Sequence, residues 1–270
     1  MPTLSAVIIT YNEEQNIERC LKSVMWADEI IVVDSFSTDR TVELAKKYTP
    51  EIFQHEYDGD IPQRRRGFDR SSGDWLFYID ADEEVTEDLR DEIQAVLHSP
   101  EAAEGYYVSR KVWAFGKWIQ HGGWFPDRTF RLFRRDHYIA EPAEVHGGFT
   151  VPGPKSHLHG LLLHYSYDSI EQYLDKMNAY TSLQVSNKLE NGTQASLAKI
   201  VLSPISHFVR KYVSQQGYKD GFHGFVLAAL GAIYTLALYA KLWEYRFREN
   251  EGTGNLPPIT NLELYHLRRQ

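Results

Sequence analysis

The chain has 270 residues, enough for one large domain or a domain with an appendage, and its 43% hydrophobic content is ordinary for a packed core. Cys20 is the only cysteine, which excludes an intrachain disulfide and thiolate metal cages and fits a reducing compartment. The net charge of −8 hides an asymmetry: residues 1–195 carry 20 Lys and Arg against 32 Asp and Glu, whereas residues 196–248 carry seven against two. An acidic body followed by a basic segment with long apolar runs argues against a nucleic-acid partner.

The first residues, MPTLSAVIIT, lack the basic and small-residue flanks of a secretory signal, which predicts a cytoplasmic protein. Leu4 to Thr10 reads as a buried strand, short and β-branched. Asn12 with Gln15 resembles a capping box, and Ile17, Leu21 and Val24 give a helix to about Met25. Glu29 to Asp34 predicts a second strand, followed by a polar turn and a helix carrying Val42, Leu44 and Ala45. Ile52-Phe53 predicts a short third strand, Trp75 to Ile79 a fourth, and Thr86 to Leu97 a helix.

Strands that are apolar on both faces and alternate with helices imply a parallel sheet covered on both sides. Ligands of such sheets bind at the carboxyl ends of the strands. Those ends here read Thr10-Tyr11-Asn12-Glu13, Asp34-Ser35-Phe36-Ser37-Thr38-Asp39 and Asp80-Ala81-Asp82. Beyond Pro100, Tyr106 to Phe115 and Arg128 to Phe133 predict strands around the loop WIQHGGWFPD, with mixed β and loop to about residue 165. Helix returns at Ser166, with Ile170, Tyr173, Leu174 and Met177 at helical spacing.

Residues 196–213 predict a helix or helix pair bent at Pro204, amphipathic and flanked by Lys199, Arg210 and Lys211. Gly224 to Ala240 is uncharged and as a helix would reach roughly 25 Å, short of a ~30 Å hydrocarbon core. A membrane span, an interfacial helix, and a buried helix or oligomer contact are all open to it. The predicted organisation is a domain over residues 1–195, with halves near 1–100 and 101–195, and a helical region over 196–270.

Asp80 and Asp82 follow an apolar strand with one small residue between them, so both carboxylates can enter one cleft and favour a divalent cation such as Mg²⁺ or Mn²⁺. Glu83 and Glu84 are expected to serve the start of the next helix, where the macrodipole favours acids. Asp34 reads equally as a ligand acceptor or as an Asx-turn residue. Among the cations, Arg131 and Arg134 fall on opposite faces of one strand, and the run Arg64-Arg65-Arg66 reads more readily as solvated surface.

The succession VIITYNEEQNI, IIVVDSFSTDRT and SSGDWLFYIDADEE resembles the nucleotide-sugar half of the family 2 glycosyltransferases, which have the α/β GT-A fold. The continuation GGWFPDRTFRLFRR, AEVHGGF and LLHYSY is similar to the bacterial branch that includes lipopolysaccharide and lipooligosaccharide core glucosyltransferases. The resemblance implies an inverting transferase that moves a hexose such as glucose from a UDP-sugar to a hydroxyl of a membrane-anchored glycan. It implies that Thr10, Tyr11, Glu13 and Asp34 hold uracil and ribose, that Arg64 and Arg131 are the donor-side cations, and that Asp80 and Asp82 are the DXD pair holding Mn²⁺ or Mg²⁺. A late histidine, His164, is a further metal candidate. The base is expected on the acceptor side; many relatives read His-Glu where this chain has His146-Gly147, which points to Glu144 or Asp127 instead. The basic C-terminal region implies peripheral association with the inner face of the cell membrane, and a homo-oligomer is open. A nucleotidyltransferase is disfavoured because TYNEEQN is acidic where a Gly-rich basic loop would stand; a non-catalytic glycan-binding scaffold is the other alternative.

Overall fold

The structure, a computed structural model, describes residues 1–140 and 148–251. In chain order the elements are β1 (Leu4–Thr10), α1 (Ile17–Val24), β2 (Glu29–Asp34), α2 (Thr41–Ala45), β3 (Ile52–Gln54), α3 (Asp60–Phe68), β4 (Trp75–Asp80), β5 (Glu83–Val85), α4 (Glu87–His98) and β6 (Gly105–Ala114). There follow β7 (Lys117–Trp118), β8 (Asp127–Arg134), β9 (Ile139–Ala140), β10 (Phe149–Thr150), β11 (Lys155–Tyr167), α5 (Ile170–Glu190), α6 (Leu197–Val209) and α7 (Phe222–Glu251). The described residues form two compact units, one within 1–112 and 126–166 and the other within 113–125 and 167–251.

The first unit is built on a sheet of order β3-β2-β1-β4-β8-β6-β11-β5. β1, β2, β3 and β4 pair in parallel, as their unbroken apolar runs predict, and β8 joins β4 antiparallel. All seven residues of β1 are buried because helices cover both faces. Leu4, Ala6 and Ile8 meet Ile17, Leu21, Leu89 and Ile93 on one side, while Val7 and Ile9 meet Phe68 and Tyr78 on the other. The second face needs a close approach: a Cβ on Gly67 would stand 2.2 Å from Val7 Cγ1, so α3 can lie on β1 only with glycine there.

Three local expectations are corrected. Asn12 does not cap α1; the helix begins at Ile17, and Asn12, at φ 50°, joins the loop after β2. Residues 60–68 form a helix that sequence reading missed, because its buried stripe is only Gln63, Gly67 and Phe68 amid three arginines. Glu83 and Glu84 do not open α4: they lie in β5, and α4 is capped by Thr86, whose hydroxyl accepts the Leu89 N–H. β11 also runs to Tyr167, so α5 starts at Ile170 behind a Ser169 cap.

In the second unit, α7 packs against α5 and α6. Val185, Leu238 and Leu242 form one core, and Ala114, Ile119 and Leu227 another. The WIQHGG segment is held by hydrogen bonds to its backbone. Asp220 is buried and accepts the backbone N–H groups of Gln120 and His121 at 3.0 and 2.7 Å, and Gly122 N–H donates to Gln215 at 2.8 Å. Trp113 and Trp118 pack edge to face across the β6–β7 hairpin, as side chains in ordinary packing do.

Candidate active site

The register gathers the polar strand ends. Thr10 stands opposite Asp34 on β2, and Ile9 stands opposite Asp80 on β4. The loops after β1 and β2 clamp each other: Asn12 N–H donates to Ser37 Oγ at 2.9 Å, and Thr38 N–H donates to Asn12 Oδ1 at 2.8 Å. Asn12 and Phe36 both take positive φ, a strained conformation that this mutual bonding holds. Asp34 is fully buried and accepts from Ser37 N–H and Gln54 Nε2, each at 2.9 Å. Of its two readings, the turn-forming one is met, and the carboxylate has no exposed surface here. Thr10 is equally enclosed and Tyr11 nearly so. Glu13 lies half-buried at the loop, its carboxylate accepting from Asn16 Nδ2 at 2.7 Å.

Asp80 ends β4 between two arginines. Arg64 Nη2 from α3 lies 2.6 Å from Oδ1, and Arg131 Nη2 from β8 lies 3.3 Å from Oδ2. Both guanidinium groups also lie over the Tyr78 ring, at 4.9 and 4.7 Å. Burial alone would raise the Asp80 carboxyl, but Arg64 and then Arg131 outweigh it and hold the group well below the usual carboxylate range. Arg64 is thus no surface residue, whereas Arg65 is exposed and Arg66 pairs with Asp58. Arg64 Nε is buried without a hydrogen-bond partner among the described residues.

Glu83 is the member that sequence reading assigned elsewhere. Its carboxylate is completely buried and accepts Asp80 N–H at 3.0 Å, Arg131 Nη2 at 2.7 Å and Arg110 Nη1 at 3.3 Å. The first bond closes the turn that carries Ala81 and Asp82; the others hold two cations beside it. Arg110 continues outward to Asp127, whose Oδ2 accepts Nε and Nη2 at 2.8 and 2.5 Å. The network therefore runs Asp127, Arg110, Glu83, Arg131, Asp80, Arg64. Arg134 points away, to Glu104, as strand alternation requires, and Arg135, beyond the end of β8, donates to Ser71 O.

Asp82 faces a different partner. β5 pairs with β11 so that Glu83 stands opposite His164, and His164 Nε2 comes 3.4 Å from Asp82 Oδ2. Burial opposes a charge on His164, but the Asp82 carboxylate more than offsets it, so its pKa lies above the ordinary value. His164 Nδ1 is buried with no hydrogen-bond partner among the described residues. His157 stacks on Tyr107 and His159 is exposed, so neither joins this pair. No group of three or more His, Cys, Asp and Glu capable of holding a metal occurs among the described residues. The Asp82–His164 pair nevertheless fits part of a divalent shell: adjacent ligands with bonds of about 2.1 Å stand about 3 Å apart, and Mg²⁺-type sites take their remaining ligands from substrate phosphates and water. Asp80, with both oxygens facing arginines, fits that shell less well than the sequence implied. Glu144, the preferred base, lies outside the described residues with Glu141 and His146.

A family profile described as "Glycosyl transferase family 2" matches residues 5–149. The lipopolysaccharide core biosynthesis glycosyltransferase LpsC of Rhizobium meliloti (strain 1021) is 30% identical over 253 residues, covering 89% of this chain and 92% of LpsC. An uncharacterized glycosyltransferase of Rickettsia typhi is 30% identical over 260 residues, covering 90% of this chain and 88% of its own. Among solved structures, the mannosyltransferase PcManGT from Pyrobaculum calidifontis, in complex with GDP-Man and Mn²⁺, is 16% identical with a TM-score of 0.45, covering 95% of this chain and 77% of its own. The family match sets the nucleotidyltransferase alternative aside. With a profile match across more than half of its 270 residues and a relative of near-equal extent, the chain belongs to glycosyl transferase family 2, has the GT-A fold and is a glycosyltransferase.

Proposed function

We propose that the enzyme transfers a hexose, glucose first among the candidates, from a UDP-sugar to a hydroxyl of a membrane-anchored glycan such as lipopolysaccharide core, with inversion and with Mn²⁺ or Mg²⁺. The observation that carries this is the division of labour at the end of β4: Asp80 is neutralised by Arg64 and Arg131, while Asp82 is paired with His164. The name of the relative LpsC supports the acceptor class. The reaction belongs in the cytoplasm, at the inner face of the cell membrane.

Asp82 and His164 would hold the cation, with Asp80 adjoining; when bound it supplies an electrophilic grip on the diphosphate. Arg64 and Arg131 present fixed positive charge where the departing diphosphate gains negative charge, which stabilises the transition state more than the ground state. Glu83 keeps Arg131 oriented without reorganisation. Tyr11 and Glu13, on the clamped loops, take the uridine side of the donor, with Thr10 and Asp34 shaping those loops from beneath. Glu144 removes the acceptor proton; Asp127, doubly bonded to Arg110, is the alternative base.

The test is UDP release from UDP-glucose, UDP-galactose and UDP-N-acetylglucosamine, with ADP-heptose as control, with and without Mn²⁺. The expected result is release from one UDP-sugar that needs metal and that Asp82→Asn strongly reduces at a Mn²⁺ concentration saturating the unaltered enzyme. Release that ignores metal, or a preference for ADP-heptose, would sink the proposal.

A further inference from the structure

The second unit leaves an apolar surface open to solvent. On α6, Leu197, Val201, Leu202, Ile205 and Val209 are each between 47% and 77% exposed. At 100° per residue these five side chains fill an arc of about 140°, with Lys199 and Arg210 just beyond one edge. The opposite side, through Ile200, Ser203 and His207, is partly covered, and a Cβ on Gly231 of α7 would meet His207 Nε2 at 2.6 Å. α6 is therefore packed on its polar and mixed side and bare on its most apolar side, the reverse of a soluble helix. On α7, Ile233, Leu236, Trp243 and Phe247 are similarly exposed, from 44% to 51%.

Lys199 Nζ reaches the Gln194 carbonyl at 3.2 Å, and neither Lys199 nor Arg210 meets an acid among the described residues. Residues 196–248 contain only two acids, Asp220 and Glu244. Asp220 is buried on the backbone of Gln120 and His121, and Glu244 is paired with Arg248 at 2.7 Å. A second copy of the chain would bring the same basic, acid-poor face to the contact, so a two-fold dimer has nothing to offer Lys199 and Arg210. A bilayer with anionic headgroups offers both an apolar layer for the arc and negative charge at its border, where long basic side chains reach outward.

Spanning is disfavoured by what α7 carries. By length and composition it contains a stretch apolar enough to cross a membrane, within Phe222–Arg248. Yet Lys241 Nζ, well inside it, is bonded to Asn178 O, Thr181 Oγ1 and Ser182 Oγ of α5 at 2.8, 2.9 and 2.7 Å. A span would either carry polar α5 into hydrocarbon or strip Lys241 of those bonds.

We infer that α6 lies in the plane of an anionic membrane surface, inserting its 197–209 arc to headgroup depth with Lys199 and Arg210 on lipid phosphates, and that α7 supports it without crossing. This rests on the membrane clause of the proposed function but not on its chemistry. The test is co-sedimentation of the full chain with phosphatidylglycerol–phosphatidylcholine vesicles and with phosphatidylcholine alone, beside light scattering and UDP–Mn²⁺ titration. Binding should require the anionic lipid and fall at least about tenfold in Val201→Asp/Ile205→Asp and in Lys199→Glu/Arg210→Glu. Nucleotide affinity should be unchanged in both, which separates this surface from the donor site. Three outcomes would overturn the inference: equal binding to neutral vesicles, a dimer that the Asp variant converts to monomer, or protein from cell membranes that resists alkaline carbonate.

Discussion

Arg131 and Glu83 form an ion pair of 2.7 Å in which neither side chain is more than 3% exposed. Removing one partner of such a pair strands a buried charge, which costs about 3–5 kcal/mol. Glu83→Ala should therefore lower the unfolding free energy by about that amount in urea titrations. Glu83→Gln keeps the shape and can still accept the Asp80 N–H, so it should cost clearly less. If the two variants are equally stable, the carboxylate charge is not what organises Arg131.

Asp80 and Asp82 are predicted to fail differently. Asp82→Asn should raise the Mn²⁺ concentration for half-maximal activity at least about tenfold at a smaller cost in stability than Asp80→Asn, because Asp82 faces one imidazole at 3.4 Å whereas Asp80 faces two guanidinium groups. Asp80→Asn leaves Arg64 and Arg131 facing a neutral amide and should lower the melting temperature as well as the rate. Metal titration of the rate together with calorimetry distinguishes them; identical profiles would contradict the division of labour at β4.

The base is separable by kinetics. Glu144→Gln should reduce kcat by about two to four orders of magnitude with the donor KM nearly unchanged. Asp127→Asn should act mainly through Arg110 and produce a smaller loss. The reverse order of severity would move the base to Asp127.

Gly67→Ala places a methyl group 2.2 Å from Val7 Cγ1, which forces α3 off β1. Overpacking of this kind costs about 1–3 kcal/mol. Since α3 carries Arg64, the same variant should weaken nucleotide binding even under conditions where it is fully folded. Unchanged UDP affinity would show that α3 reaches the site independently of its packing.

Much of the donor half was legible because strand ends announce themselves: LSAVIIT, EIIVVD and WLFYID are apolar runs that stop at polar groups, and parallel pairing then fixes Thr10 beside Asp34 and Ile9 beside Asp80. What failed to show was tertiary. The partners of Glu83 lie 27 and 48 residues away, at Arg110 and Arg131, and acids before a helix already have a sufficient local explanation in its dipole. α3 was hidden for a related reason: Gln63, Gly67 and Phe68 make a buried stripe too narrow for hydrophobic periodicity to reveal. His164 was found through resemblance; its placement depends on the β5–β11 register, which a three-residue strand hardly signals.

Asp80, Glu83 and Asp127 face Arg64, Arg110 and Arg131, and Asp82 faces His164, so the cluster already stands within about one charge of neutrality. A free cation therefore meets little net attraction, and a free nucleotide diphosphate meets little surplus positive charge. The two ligands neutralise one another and should enter together, each raising the affinity for the other by the same factor. Calorimetric titration would express this as weak UDP binding without Mn²⁺, weak Mn²⁺ binding without UDP, and strong binding of the pair.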